Sequence, residues 1–116
     1  MTHLADLIEW MNADLDANVS WPYKAQPLAQ DWARIAKLSE EVGEIIDAWI
    51  GVTGQNPRKG LYGEMGDVLD ELMDVALTAL YAAQHFVGDA GVVVDILTLR
   101  AEYHRQRREA QLRAAS

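Results

Sequence analysis

The chain of 116 residues contains no cysteine, which excludes a disulfide framework and a zinc site with thiolate ligands. It also lacks a long apolar run, since the longest near-apolar stretch, residues 75–83, is far shorter than the roughly 20 residues of a membrane span. The first residues lack the basic stretch and apolar run of a signal peptide. We therefore expect one soluble, cytoplasmic domain covering residues 1–116, with no membrane partner.

Basic residues are scarce in most of the chain. Residues 1–99 carry sixteen Asp and Glu against five Lys and Arg, a net charge of −11, whereas residues 100–116 carry five arginines against two glutamates. An acidic body repels a phosphate backbone, so we expect no nucleic-acid partner. The basic end either contacts an anion or is a solvated helix end, and we favour the second interpretation.

Apolar residues recur at spacings of three and four in four segments, which predicts an all-α fold. The predicted helices cover residues 3–17, 29 or 31 to 50, 64–87 and 92–113, with Thr2 as the N-cap of the first. The intervening segments 18–30 and 51–63 contain the prolines and several glycines, which indicates loops. The second and third helices would pack antiparallel, and we expect a four-helix antiparallel bundle.

The second predicted helix has an apolar seam formed by Ile35, Leu38, Val42, Ile45 and Trp49. We expect this seam, Trp49 included, to lie in the core. Glu41 and Glu44 belong to the neighbouring stripe, so they would flank the core and be partly buried. Glu71 and Asp74 lie on a similar stripe of the third helix.

Nine of the eighteen acidic residues fall in two windows, residues 40–47 and 64–74. Like charges three residues apart share a helix face and repel by roughly 0.2–0.5 kcal/mol per pair. Antiparallel packing would bring the two stripes face to face, and a hard cation between them would offset the repulsion. Because Mg²⁺ and Mn²⁺ prefer oxygen ligands, we expect Mg²⁺, with Mn²⁺ as the alternative.

Other interpretations of the acidic stripes fit less well. A di-iron centre requires Glu-x-x-His on two helices, but alanine lies three residues before both His85 and His104. An EF-hand requires loop spacing of its carboxylates. A solvated acidic face usually has lysines four residues further on, and no basic residue occupies these positions after Glu41, Glu44, Glu71 or Asp74. The solvated face remains the alternative to a metal site.

A longer pattern joins the two windows: Glu40-Glu41-x-x-Glu44, then 26 residues, then Glu71-x-x-Asp74. With Lys-Leu-Ser-Glu-Glu-Val-Gly-Glu at 37–44, Asn-Pro-Arg-Lys-Gly at 56–60 and Asp-Glu-Leu-Met-Asp-Val at 70–75, it resembles the signature of the MazG-like all-α NTP pyrophosphatases. The resemblance covers roughly residues 30–87.

This resemblance implies Mg²⁺-dependent hydrolysis of a nucleoside triphosphate to the monophosphate and pyrophosphate, which would clear noncanonical or surplus nucleotides. It also implies a homodimer or homotetramer, with sites that often borrow from a second subunit. By motif position, the metal ligands would be Glu41, Glu44, Glu71 and Asp74. Glu40, beside the catalytic ligand Glu41, would support the ligands or act as a base that orients water.

Candidate substrate contacts lie in and near the loops. Arg58 and Lys59 would neutralise the leaving pyrophosphate, or are simply two exposed charges. Lys37 would contact phosphate or pair with Glu41. Trp21 and Tyr62 are the candidates for stacking on the base.

One position departs from the resemblance: Thr78 replaces a tyrosine that some relatives carry near the nucleotide. Two alternatives to an enzyme therefore stay open, a regulatory bundle that binds nucleotide or metal without turnover and a purely structural assembly bundle.

Overall fold

The structure, a computed structural model, describes residues 3–18 and 26–116, and within them the regular structure is entirely helical. The four helices are α1 (His3–Ala17), α2 (Pro27–Thr53), α3 (Met65–Val87) and α4 (Ala90–Ala115). The all-α prediction is confirmed, as is the existence of each helix. The predicted N-cap, Thr2, and the stacking candidate Trp21 lie outside the described residues.

Two helices are longer than the sequence patterns predicted. Pro27 was assigned to a loop but begins α2, because proline is tolerated in the first turn, where its missing N–H would have no partner. The same helix continues to Thr53 and ends at Gly54, whose φ of 65° is left-handed and whose N–H donates to the Ile50 carbonyl. α4 begins after Asp89, whose carboxylate accepts a hydrogen bond from the Val92 N–H.

Helices α2 and α3 run antiparallel, because the N-terminal part of α2 contacts the C-terminal part of α3 and the later part of α2 contacts the earlier part of α3. Asp31 contacts His85 through a hydrogen bond of 2.7 Å, and further along the pair Glu44 lies beside Glu71. On the far side of α3, a small core of Ala5, Ile8 and Ala90 joins α1 to the start of α4.

The predicted core seam of α2 is wrong in part. Trp49 is 45% exposed, and Val42 and Ile35 are similarly exposed. The covered face of α2 is instead centred on the residue before each of them, the stripe that contains Arg34, Glu41 and Ala48. Leu38 and Ile45 of the predicted seam are partly buried as well. The helix is therefore rotated so that Glu41 turns inward, while Ile35, Val42 and Trp49 lie at the margin of the contact.

Helix α4 is covered only at its start. Ala90 and Val93 are buried, whereas residues 95–116 are exposed except for the partly buried Glu109. No single helix of the described residues is long and apolar enough to cross a membrane; α3 and α4 together meet that length and composition, with a bend of 119° between them.

Two glycines of α2 give a matched test of this packing. An added Cβ at Gly51 would lie 2.5 Å from the Tyr62 ring and carbonyl, whereas Gly43 has nothing within 4 Å. We expect Gly51→Ala to destabilise the fold by about 1–3 kcal/mol through overpacking. Gly43→Ala should stabilise it by about 0.5–1 kcal/mol, because alanine loses less entropy in a helix. Urea denaturation measures both; equal effects of the two substitutions would contradict the close approach.

Candidate metal centre and adjoining cavity

Three carboxylates predicted from the sequence meet between α2 and α3. Glu41 and Glu44 lie one turn apart on α2, and Glu71 faces them from α3. Each contributes a carboxylate oxygen, and these three oxygens all lie within 4.8 Å of one another. The antiparallel packing of the two helices therefore places like charges together, as the stripes predicted.

Two of these carboxylates are poorly solvated, whereas Glu44 is exposed. The Glu41 side chain is only 12% exposed, and Glu71 Oε2 is buried without a hydrogen-bond partner among the described residues. Burial raises the pKa of the Glu41 carboxyl above its ordinary value of 4.5, and the neighbouring charge of Glu44 raises it further. A buried carboxylate oxygen without a hydrogen-bond donor costs free energy. A positive charge next to Glu71 Oε2 would offset that cost.

Lys37 provides only part of that charge. Its ammonium lies 3.1 Å from Glu40 and 3.6 Å from Glu41. The hydrogen bond to Glu40 is the main reason why the pKa of Lys37 is raised. Since Lys37 is half-exposed and shared with Glu40, it leaves the buried Oε2 of Glu71 uncompensated.

A divalent cation fits this donor set. All three groups offer carboxylate oxygens, which are the ligands that Mg²⁺ and Mn²⁺ prefer. Metal–oxygen distances of about 2.0–2.1 Å place opposite ligands about 4 Å apart, which is comparable to the spacing of these oxygens. A cation would also give Glu71 Oε2 the partner that it lacks.

Asp74, the fourth predicted ligand, is not a member of this trio in the structure. It lies one turn beyond Glu71 and, together with Glu41, lines a cavity next to the carboxylates. Its charge makes a small contribution to the raised pKa of Glu41. Burial, followed by the charge of Asp74, also raises the pKa of the Tyr81 hydroxyl. Asp74 therefore connects the carboxylate group to the cavity.

The cavity has a volume of about 630 Å³ and lies between α1, α2 and α3. Small-molecule sites typically have volumes of about 300–1,000 Å³. Apolar side chains form one part of its wall: Met11, Leu15, Ala33, Leu77 and Ala82. Polar side chains form the rest: Asp14, Asn18, Arg34, Lys37, Glu41, Asp74, Thr78 and Tyr81. The space suits a ligand with one apolar end and one end that faces the carboxylates.

A polar network centred on the buried Asn12 joins the walls of this cavity. Arg34 donates to the Asn12 side-chain oxygen at 2.6 Å and to Asp16 at 2.6 Å. The Asn12 amide donates in turn to the Tyr81 carbonyl at 3.0 Å and to the Gln84 side chain. The network joins α1 to both other helices. The sequence of α1 does not predict this role, because its apolar spacing alone does not distinguish a cavity wall from a core helix.

The remaining predicted residues lie at different distances from the carboxylate group. Glu40 points outward, with a side chain that is 60% exposed, and is held by Lys37. Tyr62 donates to Asp47 at 2.9 Å, and Lys59 lies 4.0 Å from the same carboxylate, while Arg58 is exposed. These last three lie beside the C-terminal part of α2, beyond Glu44, and none lines the cavity.

Comparisons with protein-family models, with curated proteins and with solved structures found no match to this chain. The MazG-like resemblance therefore rests on the motifs in the sequence. The geometry of the carboxylate group and its cavity is independent of that resemblance.

The raised pKa of Glu41 predicts how stability depends on pH without divalent cations. The folded state holds a proton on Glu41 at pH values where the unfolded chain has lost it. The contribution of Glu41 to stability should therefore be greatest below about pH 4.5. It should be lost as the pH rises through the raised pKa of Glu41 in the folded state. Glu41→Gln removes this loss, so we expect a higher melting temperature at neutral pH in EDTA.

The matched control is Glu40→Gln on the same helix, because its side chain is exposed. This variant should keep the pH profile of the parent protein in thermal denaturation. A lower melting temperature for Glu41→Gln at neutral pH would contradict the burial of an uncompensated charge.

Proposed function

We propose that the chain is a divalent-cation-dependent nucleoside triphosphate pyrophosphohydrolase of the MazG-like all-α type. The observation that carries the proposal is the group formed by Glu41, Glu44 and Glu71, with an unpartnered buried oxygen, at the edge of a cavity of nucleoside size. The motif spacing around Glu40–Glu44 and Glu71–Asp74 supports the same class. The products would be the monophosphate and pyrophosphate.

Glu41, Glu44 and Glu71 would hold Mg²⁺ or Mn²⁺, with Asp74 completing the set from the cavity side. The bound metal would polarise a phosphate and lower the pKa of an attacking water. The protein's own part is mainly electrostatic: the carboxylates exclude a triphosphate unless its charge is neutralised. This makes binding of substrate dependent on the cation.

The cavity suggests how the substrate lies. Met11, Leu15 and Leu77 offer an apolar wall for the base, and the phosphates would extend towards Asp74 and Glu41. Lys37 lines the cavity and lies 3.6 Å from Glu41, so it can exchange a carboxylate for a phosphate oxygen.

The outer residues keep the roles that the resemblance implies. Glu40, which points outward and is held by Lys37, would orient water or support Glu41. Arg58 and Lys59 would approach pyrophosphate from the loop at the other end of the carboxylates. The hydrogen bond between Tyr62 and Asp47 favours loop anchoring for Tyr62 over base stacking, which leaves Trp21, outside the described residues, as the stacking candidate.

The resemblance extends the proposal to the whole molecule. We propose a single cytoplasmic domain that completes a four-helix antiparallel bundle as a homodimer or homotetramer. Its partner is a nucleoside triphosphate, with neither nucleic acid nor membrane involved, and its role is to clear noncanonical or surplus nucleotides.

Product analysis tests the activity directly. With Mg²⁺ and a panel of canonical and modified ribo- and deoxyribonucleoside triphosphates, we expect monophosphate and pyrophosphate in equal amounts. Glu71→Gln and Asp74→Asn should each lower kcat/KM by about tenfold or more. Loss of a residue that only supports a metal ligand already costs about tenfold to a hundredfold. Asp70→Asn, an exposed acid on the same helix, should retain full activity.

Release of orthophosphate, or full activity in both amide variants, would overturn the assignment. Thermal melting with Mg²⁺ alone separates failure of the metal site from failure of the chemistry. Mg²⁺ should raise the melting temperature of the parent protein but not that of Glu71→Gln, since a ligand of the native state stabilises it.

The second candidate function is a regulatory bundle that binds nucleotide without hydrolysing it. Thr78 favours it, because this residue lines the cavity at the position where some MazG-like relatives carry a tyrosine. This alternative predicts that nucleotide and Mg²⁺ together raise the melting temperature and that no product forms. At a ligand concentration a hundredfold above Kd, the free energy of unfolding should rise by about 2.7 kcal/mol.

A further inference from the structure

The second half of α4 is a helix without a covering surface. Residues 95–116, which we name the α4 arm, are exposed except for the partly buried Glu109. The arm extends about 30 Å at a rise of about 1.5 Å per residue. Most helical stability in proteins comes from packing an apolar face rather than from intrinsic propensity. The arm lacks that contribution in the single chain, and a packing partner would supply it.

The arm has an apolar face. Ile96, Leu99 and Tyr103 recur in steps of three and four and are 51%, 63% and 50% exposed. Arg100 and Arg107 lie along one side of this stripe, one residue after Leu99 and four residues after Tyr103. Such a stripe is typical of a helix that packs against another helix.

Helix α3 offers a matching uncovered surface, which we name the α3 face. Its exposed members are Met65, Leu69, Leu72 and Met73. At about 3.6 residues per turn they form a stripe beside the buried Val68 and turned away from Glu71, which faces α2. In the described part of the chain, α1 covers only the C-terminal half of this side, through Leu80. The N-terminal half remains apolar and exposed.

The arm and the rest of the chain carry net charges of opposite sign. Residues 1–99 carry sixteen acidic residues against five basic ones, whereas residues 100–116 carry five arginines against two glutamates. Complementary charges guide association and fix its orientation. The arm of the same chain does not cover this face, because the 119° bend between α3 and α4 makes the two helices diverge.

The exposed area is large enough for a stable dimer. The chain exposes 8466 Å², whereas a compact monomer of its mass exposes about 6,300 Å². Its radius of gyration is 18.2 Å, against about 13 Å for a compact domain of this length. The difference of about 2,000 Å² exceeds the roughly 800 Å² that each partner buries in a standard interface.

We propose that the α4 arm of one copy packs across the α3 face of a second copy, and that the second copy's arm does the same in return. Because the contact joins two different patches reciprocally, a two-fold axis closes the pair. This inference does not depend on nucleotide hydrolysis, since it rests on exposure, shape and charge alone.

Because the chain has no native cysteine, single cysteines can locate the contact. Leu99→Cys on the arm and Leu69→Cys on the α3 face are co-expressed with different tags, purified together and treated with a short bismaleimide. We expect a covalent heterodimer in the mixed sample and no covalent dimer of either variant alone. Self-linking of Leu99→Cys would show arm against arm, and self-linking of Leu69→Cys would show α3 against α3; either result overturns the proposal, as does a mixed sample without cross-links.

A matched pair of substitutions tests the stripe. Leu99→Asp should raise the dimer dissociation constant by at least about tenfold in sedimentation equilibrium, the effect expected of a buried interface residue. Leu97→Asp, two residues away on the opposite side of the helix and 50% exposed, should leave the dissociation constant unchanged. Circular dichroism of both variants checks that the helices persist. Equal effects, or a monomeric parent protein, would contradict the proposed interface.

Discussion

Carboxylates of like charge, brought together in a partly dry contact between two helices, are the constraint on which the rest of this molecule depends. Packing of α2 against α3 places Glu41, Glu44 and Glu71 within reach of a single ion. Apolar residues at these positions would make the same helix contact more stable, because a buried unpaired charge is costly. The stability lost here is typical of a binding site, where the fold holds a ligand's counter-charges in place before the ligand arrives.

The same contact explains the form of the cavity. Because α2 and α3 are antiparallel, the residues that precede Glu41 lie opposite the residues that follow Asp74, and the space between them opens towards α1. Glu41 and Asp74 thus lie at one end of a pocket whose remaining wall is partly apolar. Because the pocket has a charged end and an apolar part, one ligand can contact both at once. A patch of acidic residues on a flat surface offers no such combination.

Much of this could be predicted from the sequence, and the omissions have a common cause. Spacings of three and four located all four helices, and the positions of Glu41, Glu44 and Glu71 identified three carboxylates that do meet. Periodicity does not determine which neighbouring stripe faces inward, so Trp49 was wrongly placed in the core. Contacts between distant segments, such as Arg34 with Asn12, leave no local pattern in a single sequence.

The buried Asn12 has a consequence for the precision of the pocket. Its amide and carbonyl are both engaged, by two groups of α3 and by Arg34 of α2. If α1 slid by one turn, these partners would be separated inside the protein, at a cost of about 1–3 kcal/mol for each unsatisfied group. Apolar side chains tolerate such slippage more readily, since their attraction has no direction. The hydrogen bonds of one asparagine thus fix the position of α1 relative to α2 and α3, and with it the width of the pocket.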